Sequence, residues 1–144
     1  PPGYVGYNDS KNILEEIKGK VDYIVVDFHA EATAEKIAMK YFLDGKVTYL
    51  FGTHTHVQTA DNRIYPGGTA YITDVGMTGP YDEILGMGKE NVIYKFQTNM
   101  PARYEVPKKG REVLSAFFVE LDDKTGKAVR HERVYINADN PFQS

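Results

Sequence analysis

The stretch from Tyr23 to His56 constrains the fold more than any other part of the chain. Tyr23-Ile24-Val25-Val26 is apolar without alternation, as a strand covered on both faces should be, and it ends at Asp27-Phe28-His29. Thr33 is a fitting N-cap for a following helix. In that helix Ala34, Ile37, Ala38, Tyr41 and Phe42 recur at the i, i+3, i+4, i+7, i+8 spacing of one buried face. Glu35, Lys36 and Lys40 are then expected on the solvent side, with Gly45 closing the helix. Val47 to Phe51 makes a second covered strand. A strand–helix–strand unit of this kind closes with parallel strands and a right-handed crossover in nearly all cases, so the expected class is α/β.

Parallel α/β sheets hold their ligands beyond the carboxyl ends of the strands. His29 lies at one such end, and Gly52-Thr53-His54-Thr55-His56 lies just past the next. Neighbouring strands are about 5 Å apart, close enough to bring all three imidazoles to one crevice. In extended backbone His54 and His56 point to one side, with Thr53 and Thr55 to the other. Neutral imidazole suits zinc, iron and manganese-class ions, which makes His29, His54 and His56 candidate metal ligands. The chain has no cysteine, so a metal here takes nitrogen and oxygen ligands. Three histidines also suit a single zinc with an open position, or a structural metal in a catalytically silent binding or assembly module. Asp27 shares the His29 face and is a candidate to hold the imidazole's other nitrogen. Glu31 and Asp74 fall near the crevice, as substrate-side groups or as ordinary caps and loop acids. His131, between Arg130 and Glu132, reads as a solvated surface residue.

Around this unit the signals are coarser. Asn8, Asp9 and Ser10 offer N-caps for a first helix carrying Ile13, Leu14 and Ile17 on one face, stopped by Gly19. Asn62 to Gly68 is a turn-rich link, and Gly68 to Thr73 a strand ending on Asp74. Val75 to Lys89 holds Gly76, Gly79, Pro80, Gly86 and Gly88, too many breakers for a helix. This loop is a site wall or a plain connection, and it lacks the spacing of a P-loop. Glu90 to Thr98 is a short helix with Val92, Ile93 and Phe96 inward. Strands are expected at Arg103 to Val106, Val113 to Leu121 and Val129 to Ile136. The last two form an antiparallel hairpin through Asp122-Asp123-Lys124-Thr125-Gly126.

A chain of 144 residues, 42% hydrophobic, suffices for the core of one domain. Its 17 basic and 20 acidic residues form no basic patch for nucleic acid or for an anionic membrane. No apolar run reaches the roughly 20 residues that span a bilayer. The lack of cysteine fits a reducing cytoplasm. The opening Pro1-Pro2-Gly3, without methionine, suggests an excised or processed piece.

Three longer runs carry a family resemblance: Asp27 to Thr33, Gly52 to Arg63, and Tyr71 to Asp82. Through them nearly the whole chain resembles the carboxyl-terminal half of a YmdB-like metallophosphoesterase, within the calcineurin-like superfamily. The resemblance implies half of an α/β/β/α sandwich of two sheets flanked by helices, a parallel β-α-β unit followed by antiparallel strands. Residues 1–144 would be the carboxyl-terminal portion of a single domain. It further implies a phosphodiesterase acting on cyclic nucleotides such as 2′,3′-cyclic AMP through two divalent ions, iron or manganese, with zinc as a further choice. His29 and His54 would bind one ion and His56 the other. The family's remaining ligands, a bridging carboxylate among them, and its acid sit in an amino-terminal half whose motifs do not occur before His29. That half is the expected partner, and a homo-oligomer is left open.

Overall fold

The computed structural model describes residues 5–142. The elements run α1 (Val5–Ile17), β1 (Val25–His29), α2 (Thr33–Leu43), β2 (Tyr49–Thr53), β3 (Arg63–Ile64), β4 (Ala70–Ile72), β5 (Gly79–Pro80), α3 (Lys89–Thr98), β6 (Glu112–Leu121) and β7 (Ala128–Asn137). They build two sheets, a four-stranded one in the order β1-β2-β4-β3 and a three-stranded one in the order β5-β6-β7. β1, β2 and β4 are parallel and β3 runs antiparallel to β4, while the second sheet is antiparallel throughout. The expected parallel unit and the expected hairpin are both present. No helix among the described residues is long and apolar enough to cross a membrane.

Two apolar layers hold the sheets. Met39, Leu43, Val47, Leu50 and Tyr71 are buried between the helices and the first sheet, with Tyr7, Leu14 and Phe28 packed on them. On the other side Ala70, Ile72, Phe117 and Ala128 are buried between the two sheets, joined by Phe51 and Val119. The alternation along β6 explains the second layer, since Val113 and Phe117 turn inward while Leu114 and Phe118 stay exposed.

Several local expectations are corrected. β1 is an edge strand with one open flank, and Val25 is 57% exposed instead of covered on both faces. α2 is rotated from the face its apolar period suggests: Lys36, Met39, Lys40 and Leu43 are inward, and Ala34, Ile37, Ala38 and Tyr41 outward. The lysines tolerate burial because each ammonium is compensated. Lys36 pairs with Asp74 at 3.0 Å, and Lys40 donates to the Tyr65 hydroxyl at 2.9 Å while lying 3.8 Å from the Tyr41 ring centre. Thr33 is the first residue of α2, not its cap, and the capping Ala32 makes no side-chain bond. Ser10 lies within α1, where its hydroxyl donates to the Gly6 carbonyl at 2.6 Å. In α3 only Val92 is buried, while Ile93 and Phe96 are exposed. Residues 103–106 form no strand; their backbone serves α3, with Glu105 accepting from the Gly88 N–H and Arg103 from Asn91.

Candidate functional site

The parallel register sets His29 of β1 beside Thr53 of β2. His29 Nδ1 lies 3.1 Å from Thr53 Oγ1, and that hydroxyl donates to Asp27 Oδ1 at 3.1 Å. Thr53 has a single hydroxyl proton, so with that proton on Asp27 its oxygen accepts from His29 Nδ1–H. The imidazole's lone pair is thereby placed on Nε2. That atom faces His54 Nδ1 at 3.2 Å, with the two rings edge to face at 78°. Asp27 therefore acts on His29 through Thr53, a link that the alternation of a lone strand cannot reveal.

The loop carrying His54 and His56 is not extended. His54 has φ 131° and His56 φ 63°, so strand alternation does not set the direction of their side chains. The His56 Nδ1 meets the Leu85 carbonyl at 3.1 Å. A carbonyl only accepts, so Nδ1 carries the proton and Nε2 the lone pair. Leu85 and Gly86, both with positive φ, form the tip of a tight reversal closed by bonds between Ile84 and Met87. This is what the glycine-rich loop contributes: a carbonyl aimed at His56.

Positive φ at non-glycine residues persists only where the surroundings impose it. Asp74 does so here. One carboxylate oxygen accepts from the Thr55 N–H at 2.9 Å and from Lys36 Nζ at 3.0 Å, and the other from the Gly76 N–H at 3.0 Å. Burial pushes the Asp74 carboxyl up, but these donors outweigh it and hold its pKa below the usual range. Asp61 is braced in the same way. Burial raises it, while hydrogen bonds from the Thr73 hydroxyl, Thr59 and the Thr73 backbone lower it, with a net depression. Gly52 brings β2 close against β4: a Cβ there would lie 1.8 Å from the Thr73 carbonyl oxygen, so no side chain fits.

The structure brings His29 and His54 into contact, and engages His56 through the Leu85 carbonyl. Asp27 joins the pair through Thr53, Asp74 supports the loop from beneath, and Glu31 is exposed on the link into α2. His131 is half-buried, not solvated. Its Nδ1 is 3.0 Å from Asn62 Nδ2, and its ring lies 5.9 Å from that of Phe117. Sequence reasoning missed Thr53, Leu85, Asp61 and Lys36. For Lys36 a signal existed, since Lys36, Met39, Lys40 and Leu43 also repeat at helical spacing.

Among the described residues no group of three or more histidine, aspartate or glutamate side chains could hold a metal ion. The His29–His54 pair fits two positions of one ion: nitrogens each about 2.0–2.1 Å from a metal stand roughly 3 Å apart. Both rings are exposed, so a ligand has access. Completing a coordination shell needs donors from outside this group.

Comparison with known proteins places the chain in context. It matches the YmdB-like protein family over residues 3–134. It is 51% identical, over 142 residues, to the 2′,3′-cyclic-nucleotide 2′-phosphodiesterase of Bacillus subtilis, a match covering 99% of this chain and 53% of that protein. The crystal structure of a novel phosphatase from Mycoplasma pneumoniae superimposes with a TM-score of 0.81 at 41% identity, covering 91% of this chain and 46% of the other. A hypothetical protein from Thermus thermophilus gives 0.79 at 36% identity, covering 91% and 50%. The chain spans about half the length of the relatives it matches.

Proposed function

Because the chain belongs to the YmdB-like family, we propose that it is part of a metal-dependent phosphodiesterase acting on cyclic nucleotides such as 2′,3′-cyclic AMP. In this reading the centre is dinuclear, with His29 and His54 on one ion and His56 on the other. The observation that carries it is the His29–His54 pair, with nitrogens 3.2 Å apart and the His29 tautomer set from behind by Thr53 and Asp27. When bound, two divalent ions, iron or manganese, polarise phosphoryl oxygens and lower the pKa of a water. The chain's own share is to present neutral imidazoles, which leave the positive charge of the centre undiminished. Asp27 and Thr53 orient His29, Leu85 orients His56, and Asp74 holds the turn between them.

The remaining ligands and the acid come from the part of the relatives' length that this chain does not span. The open flank of β1 and α2, with Val25, Ile37 and Tyr41 exposed, is where that part docks.

The test uses the complete protein, 2′,3′-cyclic AMP and added manganese. His54→Ala is expected to lose metal and turnover while its melting temperature stays near wild type. Thr53→Val, which cuts the relay to Asp27, is expected to weaken metal affinity about 10–100-fold. Residues 1–144 alone are expected to bind metal weakly and turn over little substrate. Robust metal-dependent turnover by residues 1–144 would replace the dinuclear reading with a mononuclear three-histidine one.

A further inference from the structure

His56 stands at the rim of a cavity of about 340 Å³ that none of the roles above uses. Its volume lies within the few hundred Å³ typical of small-molecule sites. One wall is the far end of the second sheet. β6 and β7 pair Ser115 with Tyr135, so both residues face the same side, and that side is the cavity. Val57 and Leu85, carried by the histidine loop and the tight reversal, also line it.

Tyr81 completes the lining and is held in place. Its N–H donates to the Arg111 carbonyl at 2.8 Å, and the Arg111 guanidinium lies 5.3 Å from its ring centre. That guanidinium is itself fixed by Asp82 at 2.8 Å and Asp139 at 2.6 Å. Gln58 ties the histidine loop to the hairpin, its amide donating to the Ala116 carbonyl at 2.9 Å and the Val134 carbonyl at 3.1 Å. Both parts of the lining are therefore held by fixed contacts.

We propose that this cavity seats the nucleobase of the substrate, with Tyr135 and Tyr81 as its aromatic wall and the phosphate directed to His56. The inference rests on the phosphodiesterase reading for the phosphate. The cavity adds a preference for a planar heterocycle over a bare sugar phosphate. A mostly apolar slot with two tyrosines matches the π-face that every base presents, and such stacking tolerates base identity. The polar side chains in the lining, Glu83, Arg133 and Ser115, are compatible with the polar edge of a heterocycle and less so with an aliphatic tail.

The experiment compares 2′,3′-cyclic AMP with the 2′,3′-cyclic phosphate of methyl riboside, which lacks the base, on the complete protein. Tyr135→Ala is expected to raise KM for cyclic AMP about tenfold, the size of one lost base–aromatic stack, with kcat within about twofold. KM for the base-free substrate stays at its wild-type value, and Tyr135→Phe behaves as wild type because the ring does the stacking. Adenosine, which has no phosphate, tests the cavity without turnover. It is expected to bind the wild-type protein and to lose binding in Tyr135→Ala and Tyr81→Ala variants that melt normally. If wild type turns over neither phosphate but adenosine binds as described, the phosphodiesterase reading fails and the cavity assignment stands. Wild type that does not bind adenosine, or an equal KM loss for both substrates, overturns the assignment.

Discussion

The two flanks of the first sheet behave oppositely. Toward the second sheet its side chains are sealed: Ala70 and Ile72 are fully buried against Phe117, and the Asp74 and Asp61 carboxylates and the Gln58 amide nitrogen are each met by two or more partners. Toward β1 and the outer face of α2 the chain also carries apolar side chains but is open, with Val25 57% and Tyr41 70% exposed. Both flanks carry apolar side chains, and they differ in coverage. The sealed flank carries the histidine loop and fixes its geometry. In the proposed reading the open flank is the surface on which the rest of the protein docks, and the chain spans about half the length of its relatives.

The largest effect that would break this contrast is at the buried ion pair. Lys36→Met leaves Asp74 charged and without its cation, and is expected to cost about 3–5 kcal/mol in denaturant unfolding. The acid limb of stability should report the same carboxylate. The folded pKa of Asp74 is depressed, so its stabilisation is complete above the unfolded value of about 3.9 and is lost as pH falls through the folded value. Asp74→Asn should flatten that limb, and an unchanged acid profile would remove Asp74 as its cause.

Next in size is Gly52→Ala. The added Cβ would stand 1.8 Å from a backbone oxygen, which must move, so a loss of roughly 1–3 kcal/mol or more is expected. Because Gly52 precedes Thr53 and His54, metal affinity should fall with stability. A variant as stable as wild type would show that β2 and β4 are not held as described.

The smallest effect is the most instructive. In residues 1–144 alone, Val25→Asp is expected to change stability by within about 0.5 kcal/mol, as at an ordinary surface position. In the complete protein the same substitution should be strongly destabilising, because a charge would then be buried under the docked part. Equal small effects in both would mean that the β1 flank stays open.

How much of this was legible beforehand differs from element to element. The parallel unit, the hairpin and the placement of His29 and His54 near two adjacent strand ends follow from apolar runs, turn residues and the topology of crossovers, all of which are local or generic. The rotation of α2 does not. Two stripes on that helix have helical spacing, and the apolar one is the wrong choice, because Lys36 finds Asp74 thirty-eight positions away. No periodicity encodes a partner that distant in the chain. The alternation rule likewise does not apply at His54 and His56, since it assumes extended backbone.

The sequence by itself determined the strand–helix–strand order, the antiparallel hairpin and the imidazoles available for a metal, because these depend on residue type and short-range spacing. Only the tertiary structure decided which way each imidazole points. Asp74 bends the histidine loop from below, Thr53 hands Asp27's charge to His29, and Leu85 holds His56 where both residues line a cavity. Each of these is a hydrogen bond between segments far apart in the chain, and its direction exists only once the sheets have packed.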